Sequence, residues 1–586
     1  MKFLRNLLAA ILGCLMAFGI LMAMFFFFLF LVGNADEGVA VGPNSILELS
    51  FTEPIRDYVG RDETDPFAGL WENEVGLDDI VHGIHVATTD DTIEGISLTT
   101  SFIQAGLAQT QEIREALSDF KASGKFIYAH SDFFSQKDYY LASVADAIYL
   151  NPVGAMDFKG LASEVLYFKD LQEKTGLKME VIRHGKYKSA VEPYLSDRMS
   201  DENREQIKVL ITSLWDQMIT DIGASRDLSN DALNRIADTL GARTPEYAVQ
   251  NNLIDGHVHF DEYEELLREK MGLESQESLN YVDFEDYMMI SGGKRLKKGS
   301  DKVAVIYAQG EIFYGEGGKE FIGQGIVTRA LQKAANSSSV KAIVLRVDSP
   351  GGSALVSDII WREVVLAKKE KPVVVSFGNV AASGGYYIGV GGDRIFAEPT
   401  TITGSIGVFG TIPNAHELAT NIGINAEQVG TNQNSIDYSL FEPMSDSFRS
   451  VVQEGIEDTY MTFLNRVAEG RNMSIEQIDA LAQGRVWSGV DAVANGLVDE
   501  LGSLDDAIEA AAEMAELDNY GIRKYPKYKS NFERFMDDMS SAKSNLGAIF
   551  IKEELGEEAY SILKEFKNIS NQKGIQARMP FSLNIK

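Results

Sequence analysis

The pattern of apolar and polar positions begins with one long apolar run. Residues Leu7–Gly33 carry no charge, and about 20 apolar residues suffice to cross a bilayer as a helix. Lys2 and Arg5 precede the run and Asp36-Glu37 follow it, which predicts a cytoplasmic N-terminus. A cleaved signal peptide has a shorter apolar core. We therefore predict a signal anchor over residues 1–35, with the body of the chain outside the cytoplasm.

After this run, short apolar segments alternate with amphipathic ones. Val303–Tyr307, Ala342–Arg346 and Pro372–Ser376 are short and rich in β-branched residues, which is typical of buried strands. Ser357–Lys369 between the last two has the spacing of a helix. Strands that alternate with helices predict parallel βαβ units and an α/β fold class.

The same pattern occurs twice along the chain. Strand-like segments, tyrosine pairs and turn residues of the first half recur in the second half in the same order. At an offset of 247 residues, Ile93–Leu98 aligns with Val340–Leu345, Tyr139-Tyr140 with Tyr386-Tyr387, and Gly160 with Gly407; at 245, Met199–Asp201 aligns with Met444–Asp446. Chance similarity between two α/β segments is the alternative, but collinear matches over more than 150 residues favour an internal duplication.

The repeat also suggests domain boundaries. We predict an N-terminal unit over residues 36–290 and a C-terminal unit over residues 301–520, joined by a polar, glycine-containing linker over residues 291–300. Residues 521–586 form a charged tail, in which the pattern of residues 531–567 predicts an amphipathic helix. No chemistry is assigned to this tail.

Composition removes several function classes. The formal net charge is −32, which argues against nucleic acid as a partner because phosphate binding requires a basic face. Cys14 is the only cysteine, so the folded body has no disulfide, thiol nucleophile or cysteine-ligated metal. Cys14 also loosely resembles a lipidation site, but the apolar run continues well past it. No metal or cofactor is predicted.

The two units differ at two loops. The second unit has Asp348–Gly352 (DSPGG) after one strand and Ala381–Gly385 (AASGG) after the next, whereas the first unit has neither glycine pair. Backbone N–H groups of such turns can form an oxyanion hole, and Ser383 lies at a strand-to-helix junction, where negative charge is favoured. The glycine pairs could instead serve only the turns. Their joint absence from the sister unit favours catalysis, with Gly351, Gly352 and Gly384 as candidate donors.

A serine nucleophile needs a base. His416 is the only histidine in the second unit, and its surroundings predict a solvated helix. A lysine could act instead if burial lowered its pKa from about 10.4 toward neutrality. Pattern and composition do not choose among the lysines.

The motifs resemble those of a known family. Asp348–Gly352, Ala381–Tyr386 and Thr403–Gly407 (TGSIG) look like the signature segments of signal peptide peptidase A. The doubled length and Lys186–Pro193 (KYKSAVEP) resemble its long form. The resemblance extends from the anchor to about residue 515. It implies two tandem α/β domains of the Clp/crotonase-like ββα-repeat type after an N-terminal transmembrane helix.

The resemblance also implies a Ser/Lys dyad. Its serine maps to Ser383 and its lysine to Lys188, with Ser405 as a supporting residue that hydrogen-bonds the amine. In the repeat, Gln433 aligns with Lys188 and Gln136 with Ser383, so each unit would supply one half of the dyad. His184, close to Lys188, is a weak alternative base, and Ser189 has at most a supporting role.

The family further implies a setting and a substrate. The expected enzyme is a homotetrameric serine endopeptidase, anchored by a single helix in the bacterial inner membrane with its catalytic body in the periplasm. Its expected substrates are remnant signal peptides and other extended peptides.

Two other functions remain open at this stage. A crotonase-like acyl-CoA enzyme would share the fold and the oxyanion loops, but it predicts catalytic carboxylates and a cytoplasmic protein. A non-catalytic membrane scaffold would not need both dyad residues. Both are disfavoured by the anchor together with the Ser383/Lys188 pair.

Overall fold

The computed structural model describes residues 2–33, 41–60, 76–291, 299–436, 439–528 and 576–579. An N-terminal helix, α1 (Lys2–Gly33), contains the predicted apolar run. Its segment Arg5–Met24 is long and apolar enough to cross a membrane, by length and composition alone. Most of the predicted linker and the amphipathic helix predicted over residues 531–567 lie outside the described residues.

The N-terminal unit is built on a parallel sheet. Its strands are β1 (Ser45–Leu49), β2 (Ile93–Leu98), β3 (Phe126–Phe134), β4 (Ala147–Met156), β5 (Lys178–His184), β6 (Gly256–His257) and β7 (Asn280–Asp283). Its helices are α2 (Leu77–Thr88), α3 (Leu107–Ala122), α4 (Gln136–Ala142), α5 (Lys169–Thr175), α6 (Glu192–Leu195), α7 (Asp201–Arg226), α8 (Asn230–Asp238), α9 (Pro245–Gln250), α10 (Phe260–Met271) and α11 (Phe284–Ser291). Six of the strands form a sheet in the order β6-β4-β3-β2-β1-β7.

The C-terminal unit repeats this plan. Its strands are β8 (Lys302–Gln309), β9 (Glu311–Phe313), β10 (Phe321–Gly323), β11 (Val340–Ser349), β12 (Gly351–Ser353), β13 (Val373–Ala382), β14 (Arg394–Ala397), β15 (Ile402–Gly404), β16 (Val408–Asn414), β17 (Val486–Ser488), β18 (Glu500–Leu501) and β19 (Gly521–Tyr525). Its helices are α12 (Gln324–Asn336), α13 (Ala354–Lys368), α14 (Gly384–Gly389), α15 (His416–Asn421), α16 (Asp446–Arg471), α17 (Ile475–Leu481), α18 (Gly489–Ala494) and α19 (Leu504–Met514). The three predicted strands and the helix between the last two are confirmed.

The main sheet of this unit has eight strands. Its central path is β17-β15-β13-β11-β8-β19, with β14 and β18 attached beside β13. The strands β11, β8 and β13 lie at its centre and are almost entirely buried, as expected for apolar strands covered on both faces. Strand β19 pairs in parallel with β8, so this sheet continues past residue 520, where the sequence pattern had placed the start of the tail.

A third sheet joins the two units. Its order is β10-β9-β12-β20-β16-β5, where β20 is Gln576–Arg578. Strand β5 of the N-terminal unit pairs antiparallel with β16 of the C-terminal unit over seven residue pairs. This pairing brings the chain segment that follows β5 against the second unit.

Matched hydrogen bonds show the duplication at the level of atoms. Tyr139 donates its hydroxyl to the Leu253 carbonyl at 2.8 Å, and Tyr386 donates to the Leu497 carbonyl at the same distance. The helices α7 and α16, each of 26 residues, occupy equivalent places and each begins at a serine cap. Two unrelated α/β units would share their architecture but not identical buried hydrogen bonds at matched positions. These matches therefore support an internal duplication.

Buried charges hold the units together. Arg346 on β11 is 1% exposed and donates from Nε to Asp57 Oδ2 at 2.7 Å. Its guanidinium also pairs with Glu112 and donates to Ser376 Oγ at 2.9 Å. Asp57 and Glu112 belong to the N-terminal unit, so one arginine of the second unit pairs with two carboxylates of the first.

We expect Arg346→Ala to lower the melting temperature substantially. Two carboxylates would remain buried without their partner, and breaking a buried ion pair on one side costs about 3–5 kcal/mol. Arg329→Ala is the matched control, because Arg329 pairs with Glu316 at the surface, where both side chains are more than half exposed. Exposed pairs contribute about 0–1 kcal/mol. Equal melting temperatures for the two variants would contradict the role given to Arg346.

Candidate active site

Ser383 lies at the junction of β13 and α14 in a strained backbone conformation. Its φ is 55° and its ψ is −113°, a region in which a non-glycine residue costs about 1–3 kcal/mol. Its backbone N–H donates to the Gly404 carbonyl at 2.8 Å, and its carbonyl accepts from Tyr387 N at 2.9 Å. The side chain is fully buried. The surrounding sheet and helix therefore hold this serine in one orientation.

Lys188 reaches Ser383 from the other unit. It follows β5 and caps the short 3-10 turn Ser189–Val191. Its amine nitrogen Nζ lies 3.0 Å from Ser383 Oγ. The structure thus brings together the two predicted dyad residues, which are 195 positions apart in the chain.

Burial determines the electrostatics of this lysine. The side chain of Lys188 is 0% exposed, and desolvation lowers its pKa well below the usual value. Burial disfavours the charged ammonium because it removes the water that would solvate the charge. A neutral amine has a free lone pair, which the serine hydroxyl can use as a hydrogen-bond acceptor.

Ser405 completes the contacts of the amine. Lys188 Nζ donates to the Ser405 carbonyl and to Ser405 Oγ, each at 2.9 Å. Ser405 itself has φ 51°, and its N–H donates to the Arg485 carbonyl at 2.6 Å. A neutral amine has two N–H groups and one lone pair. When both N–H groups are directed at Ser405, the lone pair faces Ser383.

Sequence reasoning missed the loop that packs on Lys188. A β-carbon placed on Gly484 would come within 2.7 Å of the Lys188 Cα, Cβ and backbone nitrogen, and one on Gly407 within 3.2 Å of Lys188 Cδ. The Gln483 carbonyl accepts from Tyr187 N at 2.9 Å. Because Gly484 has no side chain, this loop can pack directly on Lys188 and exclude water from it. In the sequence, this contact was indicated only by a glycine that lies outside the signature motifs.

Two of the three predicted oxyanion glycines, Gly351 and Gly384, lie close together. Gly351 and Gly352 have φ of 98° and 152°, a region that favours glycine. A β-carbon on Gly351 would lie 2.8 Å from Gly384 N, so the two loops approach each other closely. The N–H of Gly351 donates to Ser349 Oγ at 3.2 Å. Gly351 thus forms the turn, and its own N–H is already engaged.

Asp348 connects the two loops and had no role assigned from sequence. Its carboxylate accepts from Val380 N at 2.9 Å, on the strand that leads to Ser383. Burial, aided by the nearby Asp57 carboxylate, raises the pKa of Asp348 to about 7. This residue links the position of the glycine loop to that of the serine strand.

The alternative bases lie elsewhere. His184 stacks on Tyr460 with ring centroids 4.0 Å apart. His416 begins α15 and is partly exposed, with Nδ1 2.7 Å from the Phe441 carbonyl. Ser189 accepts a hydrogen bond from Gln206 Nε2 at 2.8 Å, which supports the turn that carries Lys188.

Comparison with known proteins identifies the family. The profile of peptidase family S49 matches residues 119–274 and again residues 366–518. The chain belongs to peptidase family S49. The two matches begin 247 residues apart, which is the offset found in the sequence. The predicted fold class, two tandem α/β units of this peptidase type after an N-terminal apolar helix, is confirmed.

Relatives of known name agree with this assignment. Protease 4 of Haemophilus influenzae is 38% identical over 446 residues, which cover 74% of this chain and 72% of that protein. Protease 4 of Salmonella typhi is 38% identical over 480 residues, covering 80% of this chain and 77% of the relative. Among solved structures, ClpP1 from Listeria monocytogenes matches at 18% identity with a TM-score of 0.23, over 35% of this chain and 94% of its own. The S49 chain described here is a serine protease.

We expect removal of the Ser405 hydroxyl to lower kcat by about tenfold, because a hydrogen bond to the ammonium formed in the reaction is worth at least about 1.5 kcal/mol. Because an acceptor beside the amine favours its charged form, the acidic limb of the pH profile should also shift to lower pH. Ser405→Ala and Ser405→Gly should be compared, since alanine keeps the β-carbon that Ser405 already has at φ 51° and glycine removes it. Equal losses in the two variants are expected, and a loss in Ser405→Gly alone would indicate added backbone freedom rather than loss of the hydroxyl.

Proposed function

We propose that the protein is a membrane-anchored serine endopeptidase that uses Ser383 as nucleophile and Lys188 as general base. The observation that carries this proposal is the 3.0 Å separation of Lys188 Nζ and Ser383 Oγ in a fully buried site. Distances of about 2.6–3.2 Å between nucleophile and base are those that permit proton transfer. A structural ion pair does not explain this contact, because serine carries no charge.

In the proposed cycle, neutral Lys188 takes the proton of Ser383 as Oγ attacks a peptide carbonyl. The resulting ammonium is stabilised by the Ser405 carbonyl and hydroxyl, both at 2.9 Å. Lys188 then gives the proton to the leaving amine, and a water molecule, deprotonated in turn by Lys188, releases the acyl group. Each unit of the duplication supplies one partner, as proposed for residues 36–290 and 301–520.

For the oxyanion we propose the N–H groups of Gly352 and Gly384 as donors. Gly351 is assigned to the turn, since its N–H donates to Ser349 Oγ. Donors fixed by the backbone need no rearrangement when charge develops, which is the source of their catalytic effect.

We further propose that α1 anchors the body at the extracytoplasmic face of the bacterial inner membrane. The substrates would then be remnant signal peptides and other extended peptides near the bilayer. This assignment is supported by the apolar segment Arg5–Met24 and by the family membership. Assembly into a homotetramer stays a prediction.

A fluorophosphonate probe tests the chemistry. Purified full-length chain in detergent should be labelled at Ser383, and Ser383→Ala should not be labelled. In vesicles that contain a synthetic signal peptide, the wild-type chain should degrade the peptide and Ser383→Ala should leave it intact. Equal labelling of both chains would refute Ser383 as the nucleophile. Labelling without peptide degradation would refute the substrate class but not the dyad.

A further inference from the structure

Gln206 on α7 contacts both chain segments that meet at the dyad. The residue is 1% exposed, and its amide nitrogen Nε2 donates to the Tyr187 carbonyl at 3.0 Å and to Ser189 Oγ at 2.8 Å. These are the two neighbours of Lys188, and with it they form what we call the lysine turn. The Gln206 oxygen Oε1 lies 3.5 Å from Val486 N of strand β17, so the same side chain reaches the second unit.

Strand β17 is bonded to the segments that carry Ser383 and Ser405. Val486 pairs with Gly404, whose carbonyl accepts from Ser383 N at 2.8 Å. The Arg485 carbonyl, directly before β17, accepts from Ser405 N at 2.6 Å. A side chain that fixes the lysine turn against β17 therefore also sets the distance between the amine and the serine hydroxyl.

A buried carboxylate sets the direction of the Gln206 amide. Glu192 is 4% exposed and accepts from Ser200 N at 2.9 Å and from Asn203 Nδ2 at 2.6 Å. An ionised carboxylate can only accept hydrogen bonds, so Asn203 presents its NH2 group to Glu192 and its oxygen Oδ1 to Gln206. That oxygen lies 3.1 Å from Gln206 Nε2. The NH2 group of Gln206 is thus directed toward Asn203 and the lysine turn.

The second unit lacks this amide. Helix α16 has the same length as α7, 26 residues, and also begins at a serine cap. At the offset of 245 residues, Gln206 aligns with Val451, which is 60% exposed. The glutamine is therefore present in the unit that supplies the proposed base and replaced in the unit that does not, just as Lys188 is replaced by Gln433.

We propose that Gln206 is a positioning residue: it holds the lysine turn against β17, so that the Lys188 amine stays beside Ser383 and away from water. The amine itself contacts Ser383 and Ser405. Gln206 therefore acts through the backbone of the turn and not on the reacting atoms. The proposal rests on the proposed function, because it takes Lys188 as the base.

Gln206→Met tests this role, since methionine fills a similar volume without the amide. We expect kcat for peptide hydrolysis to fall by about 30-fold with KM unchanged within about twofold, because a misplacement of about 1 Å can cost about 100-fold. The acidic limb of the kcat profile should move to higher pH by about one unit, because water that reaches the Lys188 amine raises its lowered pKa toward the ordinary value.

The pH shift separates positioning from stability. Arg183 Nη1 donates to the Lys188 carbonyl at 3.0 Å, and the Arg485 guanidinium lies 5.0 Å from the centre of the Tyr187 ring. Gln206→Met changes neither of these charges, so a shifted limb reports solvation of the amine. A variant with a lower melting temperature but the acidic limb of the wild type would overturn the proposal.

Gln111→Met is the matched control. Gln111 is 4% exposed and also reaches from the first unit to the second, where it accepts from Thr400 Oγ1 at 2.9 Å. This contact involves neither the lysine turn nor β17, so kcat and the acidic limb should match those of the wild type. The same pH shift in Gln111→Met, or an unchanged kcat and limb in Gln206→Met, would overturn the positioning role.

Glu192→Gln tests the same network with a smaller change. A glutamine there can donate as well as accept, so the Asn203 amide loses its fixed direction. We expect kcat to fall by about fivefold, the effect of one hydrogen bond of ordinary strength, with the acidic limb shifted in the same direction. If circular dichroism shows Gln206→Met to be unfolded, this variant decides. Wild-type kcat and limb in folded Glu192→Gln would overturn the proposal.

Fluorophosphonate labelling of the full-length chain separates this proposal from the proposed function. If the wild type is labelled at Ser383, Lys188→Met is not, and Gln206→Met is labelled at the wild-type rate at every pH, the positioning role fails and the proposed function stands. If the wild type takes no label, or Lys188→Met is labelled as fast as the wild type, the proposed function fails and this proposal with it. Slower labelling of Gln206→Met with a displaced acidic limb would support both.

Discussion

Replacing Ser383 with alanine is expected to lower kcat/KM for peptide hydrolysis by at least about 10⁴-fold. The proposed oxyanion loops would remain, but residual catalysis without a nucleophile is small, as subtilisin variants lacking their serine illustrate. The measurement is hydrolysis of a fluorogenic unstructured peptide by purified full-length protein. The substitution removes one oxygen atom and keeps the backbone hydrogen bonds of residue 383, so the variant should keep its circular-dichroism spectrum.

Ser450→Ala is the matched control for this prediction. Ser450 lies exposed on α16, where its hydroxyl donates only to the Asp446 carbonyl of the same helix. Its substitution should leave kcat/KM unchanged within about twofold, since exposed substitutions away from special features usually alter stability by less than about 0.5 kcal/mol. Substantial activity remaining in Ser383→Ala would mean that another residue attacks the substrate.

Replacing Lys188 with arginine is expected to abolish activity although a long side chain that carries nitrogen is kept. A guanidinium stays protonated across the accessible pH range and cannot accept the proton of Ser383. We expect a loss of at least about 10³-fold, within the range that triad substitutions produce. Lys188→Met, which keeps the length of the side chain without a basic nitrogen, should lose activity to the same extent. If Lys188→Arg retained activity, the lysine would act by electrostatics rather than as a base.

The lowered pKa of Lys188 should also determine how the activity and stability of the wild-type protein depend on pH. Because burial lowers the pKa of Lys188, the amine is neutral above that lowered pKa and activity should fall as the pH falls through it. In the window between the folded pKa and the unfolded value near 10.5, the unfolded chain binds more protons at this site than the folded chain. The free energy of unfolding should therefore rise with pH across this window. Lys188→Met should flatten that slope, which denaturant titrations at several pH values would measure.

The arrangement explains why neither unit would work alone. Strand β5 pairs with β16 over seven residue pairs, and this pairing carries Lys188 toward Ser383. The loop at Gly484 covers the lysine from the second unit, so the unit that carries Ser383 also provides the burial that lowers the pKa of Lys188. At the position matching Ser383, Gln136 instead accepts hydrogen bonds from the N–H groups of Lys159 and Gly160. The sister site of the first unit has become a structural contact.

Much of the architecture could be predicted from local pattern. Ile93–Leu98 forms a strand with the predicted bounds, because an apolar run of this length has few other stable environments. The duplication, the apolar N-terminal helix and the two glycine loops were also readable, since each depends on residue type and spacing along the chain. Ser383 emerged in the same way, as a serine beside glycine pairs that the sister unit lacks.

Local residue pattern could not identify the proposed base. Lysine has an ordinary pKa near 10.4, and only burial by segments distant in sequence lowers it. Residue patterns placed Lys188 among many lysines, and family resemblance alone singled it out. Ser405 and Gly484 surround its side chain only after β5 and β16 have paired.

The position of the C-terminal strand β20 likewise could not be predicted from local sequence. Residues 576–579 carry no motif, and their composition gave no reason to expect them near the active site. The strand β20 exists because β12 and β16 leave a gap of one strand whose backbone groups need partners. Local sequence therefore decided which elements form and where a nucleophile can lie. Tertiary packing decided which lysine is fully buried and which segment lies between β12 and β16, because both depend on contacts between residues far apart in the chain.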